Sequence, residues 1–322
     1  MAHELWVVKN STMTNITPLV GSLSWRSNKD ELGDEVSFNI AINDEYFPVN
    51  PCKLGDVVVL KNKEEITRCI LVEENRNGRS PIQYAAFDYA FYLNKSNAIY
   101  QFNKMRADQA IKKIASDFNV PVGNVTSMPT IINKIYNSKK VSEIIKDIQT
   151  LVEQDQGQKY LMEMRRGKLF IEKQRDLIVK GSFQLPPYTI EDVTRVVSDP
   201  SRRRSIVDMK NIIQIVSGDK LITQVSNDVL VNQYGRLQEV ISIDENEVSK
   251  AKNIAQNHLK NLAKVLEESS VELLGDDNFR AGRLFEIAEP TTGLKGTYLI
   301  KDVNHTVFKG IHKMTVGLEV AG

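Results

Sequence analysis

The sequence predicts an α+β, mainly β protein in which two related small β-barrels flank an inserted α+β domain. Three observations carry this expectation. Short apolar runs with a period of two fill both ends of the chain, from Trp6 to Tyr92 and again from Asn211 onward. After Phe102 the apolar residues recur instead at helical spacing. The two terminal β regions also share an order of elements. A chain of 322 residues is long enough for such a division, since single cores stop growing at about 250–300 residues. The expected domains are an N-terminal barrel over 1–98, an α+β domain over 99–185, a linker over 186–209 and a C-terminal barrel over 210–322. The last is expected to carry an inserted helix at about 245–268.

In EVSFNIAIN, Val36, Phe38, Ile40 and Ile42 fall on one side and Ser37, Asn39 and Asn43 on the other, as in a half-buried strand. Leu54-Gly55-Asp56 then turns the chain into Val57–Leu60. KNKEE makes a polar reversal, TRCILVEE returns, and Asn75-Arg76-Asn77-Gly78 precedes IQYAAFDY. Ala107, Ala110, Ile111, Ile114 and Phe118 form one helical stripe. Val141, Ile144, Ile145, Ile148, Leu151 and Val152 form a second, with Pro121-Val122-Gly123 as a break between them. KYLMEMRRGKLFIEK reads as a hairpin around Arg166-Gly167, and Pro186-Pro187 and Pro200 mark a looser stretch. NIIQIV, LITQVS and VLVNQYGRLQEVISI return to β structure. A stripe of Val248, Ala251, Ala255, Leu259, Leu262 and Leu266 then predicts a helix, with Asp244 and Glu247 as its cap. VELL, GRLFEI, TYLIKDVNHTVF and IHKMTVGLEV close the chain as strands.

CKLGDVVVLKNKEEITRCILVEENRNG and FRAGRLFEIAEPTTGLKGTYLIKDVNHTVFKG both read as glycine, apolar strand, polar turn, second strand with an acidic residue near its end, and turn. Gly55 corresponds to Gly282, Val57–Leu60 to Leu284–Ile287, and Cys69-Ile70-Leu71-Val72 to Tyr298-Leu299-Ile300-Lys301. Residue identity is low, so pattern alone leaves both a duplication and two generic hairpins open.

Lys and Arg number 42 against 41 Asp and Glu, a net charge of +1, which supplies no global field for nucleic acid or an anionic membrane. The beginning, MAHELWVVKNSTMT, has no signal-peptide pattern, and synthesis in the cytoplasm is expected. Cys52 and Cys69 form no CxxC pair and are expected to be buried thiols. His305 and His312, seven positions apart, fall on the apolar face of a predicted hairpin. That face offers no Cys, Asp or Glu nearby, so they are expected to pack rather than bind metal or catalyse. GxSxG, HExxH, HxH, GxxxxGK[ST] and GxGxxG are all absent. The acid pairs Glu73-Glu74, Asp276-Asp277 and Glu267-Glu268 read as solvated turn residues, and Arg202-Arg203-Arg204 as a solvated loop. Tyr84, Phe87, Tyr89, Phe91 and Tyr92 read as a packed domain junction. No catalytic, cofactor-binding or metal-binding residue is therefore assigned.

The stretch AAFDYAFYLNKSNAIYQFNKMRADQAIKKIASDFNVPVG resembles the XkdQ/YqbQ-type tail proteins of contractile phages and phage-derived particles. Asp88, Tyr92, Leu93, Asn94, Tyr100 and Gly123 fit the family's aromatic turn and following helix. Trp25 in the first strands and Tyr234, Gly235 and Gln238 in VNQYGRLQEV fit two further elements, and NHTVFKGIHKMTVGLE resembles its last hairpin. The resemblance implies a baseplate central hub: two related barrels, an added α+β domain and a homotrimer joining a sixfold tail tube to a threefold spike. Its implied partners are itself, the tube and spike proteins, and the tape measure and baseplate wedge proteins, with no cofactor, no membrane and no specific nucleic acid. Its implied location is the bacterial host cytoplasm during assembly and then the virion or bacteriocin baseplate. A tail-associated peptidoglycan hydrolase and a carbohydrate-binding β module are the alternative readings.

Overall fold

The computed structural model describes residues 3–41, 49–180, 182–185, 189–192, 198–243, 245–289 and 292–321. The expected Ile42, the pair Pro186-Pro187 and the cap at Asp244 lie outside these. Two compact units result, one of residues 1–200 with 270–322, the other of 201–269.

One sheet runs through both β regions of the first unit. Its order is Leu266–Leu274, Ile311–Val320, Leu294–Phe308, Val20–Asn28, Glu35–Ile40, Ile82–Asp88, Glu64–Asn75, Val57–Asn62, Glu4–Lys9 and Thr12–Asn15. The join is the antiparallel pairing of Val20–Asn28 with Leu294–Phe308, in which Asn28 lies opposite Asp302 and Leu23 opposite Val307. Two related small barrels flanking an inserted domain were expected. The two β regions meet edge to edge, because pairing these strands satisfies backbone groups that separate sheets would leave at open edges. Each half keeps its own core. Leu5, Trp25, Val36, Phe38, Leu60 and Leu71 fill the first; Val271, Phe279, Phe285, Ile300 and Val316 fill the second. Cys52 and Cys69 are free and buried in the first half, and burial pushes the Cys52 thiol up to about 12.

The two suggested repeats match bond for bond. Gly55 N–H donates to the Leu71 carbonyl and Leu71 N–H to Asp56; Gly282 N–H donates to Ile300 and Ile300 N–H to Arg283, all at 2.8–2.9 Å. Val57 pairs with Ile70 as Leu284 pairs with Leu299. Both glycines hold left-handed backbone, at φ of 86° and 87°, as the common turn requires. Each second strand then meets a third strand with a register shift at the same place, between Leu71 and Glu73 in one and between Ile300 and Asp302 in the other. An extra residue there bends and twists a sheet locally, so a shared bulge is a shared shape.

The middle region has a third core, built on the two predicted stripes. Ala107–Asp117 buries Ala107, Ala110, Ile111 and Ile114; Val141–Gln156 buries Val141, Ile144, Ile145, Ile148 and Val152. The hairpin Tyr160–Arg165 with Lys168–Lys173 turns at Arg166 and Gly167, both at positive φ. Two features differ from expectation. Asn97–Arg106 and Ile131–Lys140 are paired strands, and Val122–Val125 is a strand where a simple break was expected. This core also begins earlier than residue 99, since the short helix Ala90–Lys95 contributes Ala90 and Leu93.

In the second unit, Ile212–Ser217 is central, antiparallel to Lys220–Ser226 and parallel to Gln238–Ser242. Helix Ala251–Leu262 covers it, with Ile213, Ile215, Ala251 and Ala255 as the buried core. Residues 201–269 therefore enclose a core of their own, where a helix inserted into a C-terminal barrel was expected. Leu266, placed by its spacing on that helix, begins the strand Leu266–Leu274. The supposed linker contains the strand Ser198–Ser205, and its arginines are not a solvated loop. Arg202 and Arg204 pair with Glu267, and Arg203 with Glu268. No helix among the described residues is long and apolar enough to cross a membrane.

Candidate functional site

The join of the two sheet halves brings together groups that lie far apart in sequence. His305 sits on Leu294–Phe308 directly opposite Trp25, and the two rings stack at 4.6 Å with planes 7° apart. Its burial and shared face with Val303 follow the strand alternation read from the sequence. His312, on the return strand Ile311–Val320, reaches His305 diagonally, with Nε2 3.1 Å from His305 Nδ1. His305 Nε2 stands 3.0 Å from the Phe279 carbonyl. The expectation that this face lacks a carboxylate does not hold. Asp277 Oδ1 lies 2.8 Å from His3 Nε2 and 3.8 Å from His312 Nδ1, and Asn62 donates to Asp277 Oδ2 at 2.7 Å.

Local backbone aims these groups. Asp276 accepts from the Asn278 N–H at 2.9 Å and the Phe279 N–H returns to the Asp276 carbonyl, so the loop turns tightly and points Asp277 inward. Gly275 donates its N–H to the His312 carbonyl, and a Cβ there would lie 2.0 Å from the His312 ring. Burial pushes both rings toward neutrality, His305 down to about 3 and His312 down to about 4. Burial alone would push the Asp277 carboxyl up, but hydrogen bonds from His3 and Asn62 hold it below the usual carboxylate range. Asp277 is therefore not a solvated turn acid.

A second polar cluster ties the same regions together. Arg280 is 8% exposed, and its guanidinium donates to Asp34 Oδ2 and to the carbonyls of Met164 and Ile66, the last two at 2.8 Å. Burial opposes its charge, yet Asp34, Glu163 and Asp88 more than offset this and hold its proton firmly. Asp88 accepts from the N–H groups of Asp34 and Ala90 at 2.7 and 2.9 Å. Burial, with the Asp34 charge adding, pushes its carboxyl up to about 8. Sequence reasoning missed Arg280 and Asp34. The only sequence signal for either is a charged residue beside an apolar strand start.

The remaining candidates make local contacts. Tyr84 is buried, bonded to Asn50 and Glu74, while Phe87 meets Phe91, Tyr92 meets both Phe91 and Tyr89, and of these Tyr89 packs against the third core and Tyr92 is exposed. Glu74 is tied to Arg76 at 2.6 Å. Asn94 donates to the Leu32 carbonyl, Tyr100 to Asp117, and a Cβ on Gly123 would lie 2.4 Å from the Phe170 ring. Gly235, at φ 81°, ends helix Asp228–Tyr234, and Gln238 opens the parallel strand.

A mainly β chain whose paired hairpins are joined through a closely packed polar seam can then be compared with known proteins. The model of the YqbQ-like family matches residues 23–319, so the chain belongs to that family. It is 25% identical over 331 residues to the XkdQ protein of phage-like element PBSX in Bacillus subtilis (strain 168), covering 97% of this chain and 95% of that one. It is 24% identical over 275 residues to YqbQ of the same organism, covering 81% and 80%. Its fold resembles the 43 kDa tail protein of prophage MuSo2 from Shewanella oneidensis, with a TM-score of 0.69, 13% identity and 98% of both chains covered. A tail protein from Neisseria meningitidis MC58 superposes with a TM-score of 0.64 at 11% identity, over 99% of this chain and 96% of that one.

Proposed function

We propose that this chain is a non-enzymatic baseplate hub that assembles as a homotrimer and joins a sixfold tail tube to a threefold central spike. The observation that carries the proposal is the bond-for-bond equivalence of the two hairpins, including the shared bulge. One chain offers two similar surfaces. Three chains around an axis then offer six, which is the geometric requirement for meeting a sixfold ring on one face and a threefold body on the other. Membership of the YqbQ-like family, similarity to a phage-like element protein and likeness to tail-protein folds support the setting. The partners are the tube and spike proteins, with tape measure and wedge proteins adjoining, and the location is the assembled particle after synthesis in the host cytoplasm.

The test is a reconstruction of the particle, or of a co-expressed hub and spike complex, without imposed symmetry. It should show three chains and six hairpin units in one ring, with the N-terminal half of one chain against the C-terminal half of the next. Six chains, or three chains presenting only three such units, would defeat the adaptor mechanism.

A further inference from the structure

We propose that His3, Asp277 and His312 form a binding site for a divalent first-row transition ion, with zinc the best-suited occupant. One donor atom from each lies within 4.8 Å of the other two. His3 Nε2 and His312 Nδ1 stand 2.8 and 3.8 Å from the same Asp277 oxygen. A tetrahedral ion with bonds of about 2.0–2.2 Å holds its ligands about 3.4 Å apart, so the two carboxylate–imidazole distances need shifts of about half an ångström and the two imidazole nitrogens, within 4.8 Å of each other, close by at most about 1.4 Å. Two imidazoles and one carboxylate suit zinc, whereas calcium and magnesium favour all-oxygen sets.

The hydrogen-bond chain behind His312 supplies a second, independent argument. The Phe279 carbonyl can only accept, so His305 Nε2 carries the hydrogen and donates to it. His305 Nδ1 is then an acceptor, and His312 Nε2 must donate to it. That leaves His312 Nδ1 as a bare lone pair aimed at a carboxylate oxygen. Two electron-pair donors facing each other are accommodated by a cation, and a ligating histidine whose other nitrogen is fixed by hydrogen bonding is the usual arrangement around a metal. The Trp25 ring beneath His305 and the missing side chain at Gly275 hold both imidazoles in place.

Binding replaces the proton on His3 Nε2 and moves hydrogen to Nδ1. His3 Nδ1 and Asn62 Oδ1 are both buried with no hydrogen-bond partner among the described residues, so the ion turns one of these orphans into a donor while the other stays an acceptor. Asp277 and His312 retain 23% and 12% side-chain exposure, which leaves a route from solvent. The ion would clasp the first strand, the 275–283 loop and the last hairpin together.

The test uses tag-free, chelator-treated full-length protein titrated with zinc chloride by calorimetry and with cobalt(II) by visible absorption. One zinc per chain, a raised Tm, and cobalt bands of a low-coordinate site with nitrogen ligands are expected. Asp277→Asn and His312→Gln should weaken binding by about tenfold or more. His258→Gln, on the exposed side of helix Ala251–Leu262, should leave it unchanged. Absence of stoichiometric zinc binding, unchanged affinity in the Asp277 and His312 variants, or loss of binding in the His258 variant would overturn the proposal. Should the first two variants fail to fold, the wild-type cobalt spectrum still decides, since a spectrum of fully hydrated cobalt would end it.

Discussion

Replacing Arg280 with Met keeps roughly the volume of the side chain but removes the cation and all its donors. The Asp34 carboxylate is then buried without its partner, and the Ile66 and Met164 carbonyls lose a donor each. Breaking a buried ion pair from one side costs about 3–5 kcal/mol. Each carbonyl left unsatisfied adds about 1–3 kcal/mol. These do not simply add, because burial already pushes the Asp34 carboxyl up and it can escape by taking a proton. A loss of about 4–6 kcal/mol is expected, a large share of the roughly 5–15 kcal/mol that stabilises an ordinary domain. Urea unfolding followed by far-UV circular dichroism and by tryptophan fluorescence measures it, since Trp25 lies in the same seam. The double variant Asp34→Asn with Arg280→Met should be more stable than the sum of the two single losses implies. A single-variant cost under about 1 kcal/mol, or strict additivity in the cycle, would refute the reasoning.

Asp88, raised to about 8 in the fold from 3.8, keeps a proton that the unfolded chain has lost across that window. Stability should therefore be fullest below pH 4 for this group and fall as pH rises toward 8, by at most about 1.4 kcal/mol per pH unit; Asp88→Asn should flatten that slope in pH-dependent denaturation. Gly282→Ala should destabilise more than Gly55→Ala, although both occupy the same backbone conformation. A Cβ at 282 meets Leu161 at 2.3 Å while one at 55 meets nothing; equal Tm losses would count against the packing argument. Gly275→Ala should cost about 1–3 kcal/mol by displacing the His312 ring, read as a change in histidine proton shifts by NMR. Finally, the purified protein should release no muropeptides from peptidoglycan, and release above a buffer control would revive a hydrolase reading.

Local order was legible in the sequence where period and turn chemistry agree. The two helical stripes, the Arg166-Gly167 hairpin and the Gly55 and Gly282 repeats all follow from residues within about twenty positions of one another. Asn97–Arg106 was obscured because its inward residues, Tyr100 and Phe102, run into the helical stripe that begins at Ala107. The second unit was hidden for a similar reason. Its strands look like those of the flanking sheet, and only the pairing of Ile212–Ser217 with Gln238–Ser242 separates them. The seam was not legible at all. His3 and Asp277 are 274 positions apart, Asp34 and Arg280 are 246 apart, and no periodicity encodes a meeting at that range.

The pairing of Asn28 with Asp302 also sets a schedule for synthesis. A ribosome adding about 5–20 residues per second needs on the order of 15–60 s to travel from one partner to the other. Throughout that interval Val20–Asn28 can bind Glu35–Ile40 on one side but has no native neighbour on the other. Nascent chains translated side by side on one message would present the same open edge to each other, a setting that favours exchange of C-terminal hairpins between chains. Closing so long a loop also slows folding relative to a chain of local hairpins. Slowing translation before residue 294 should therefore raise the yield of aggregated or swapped chains.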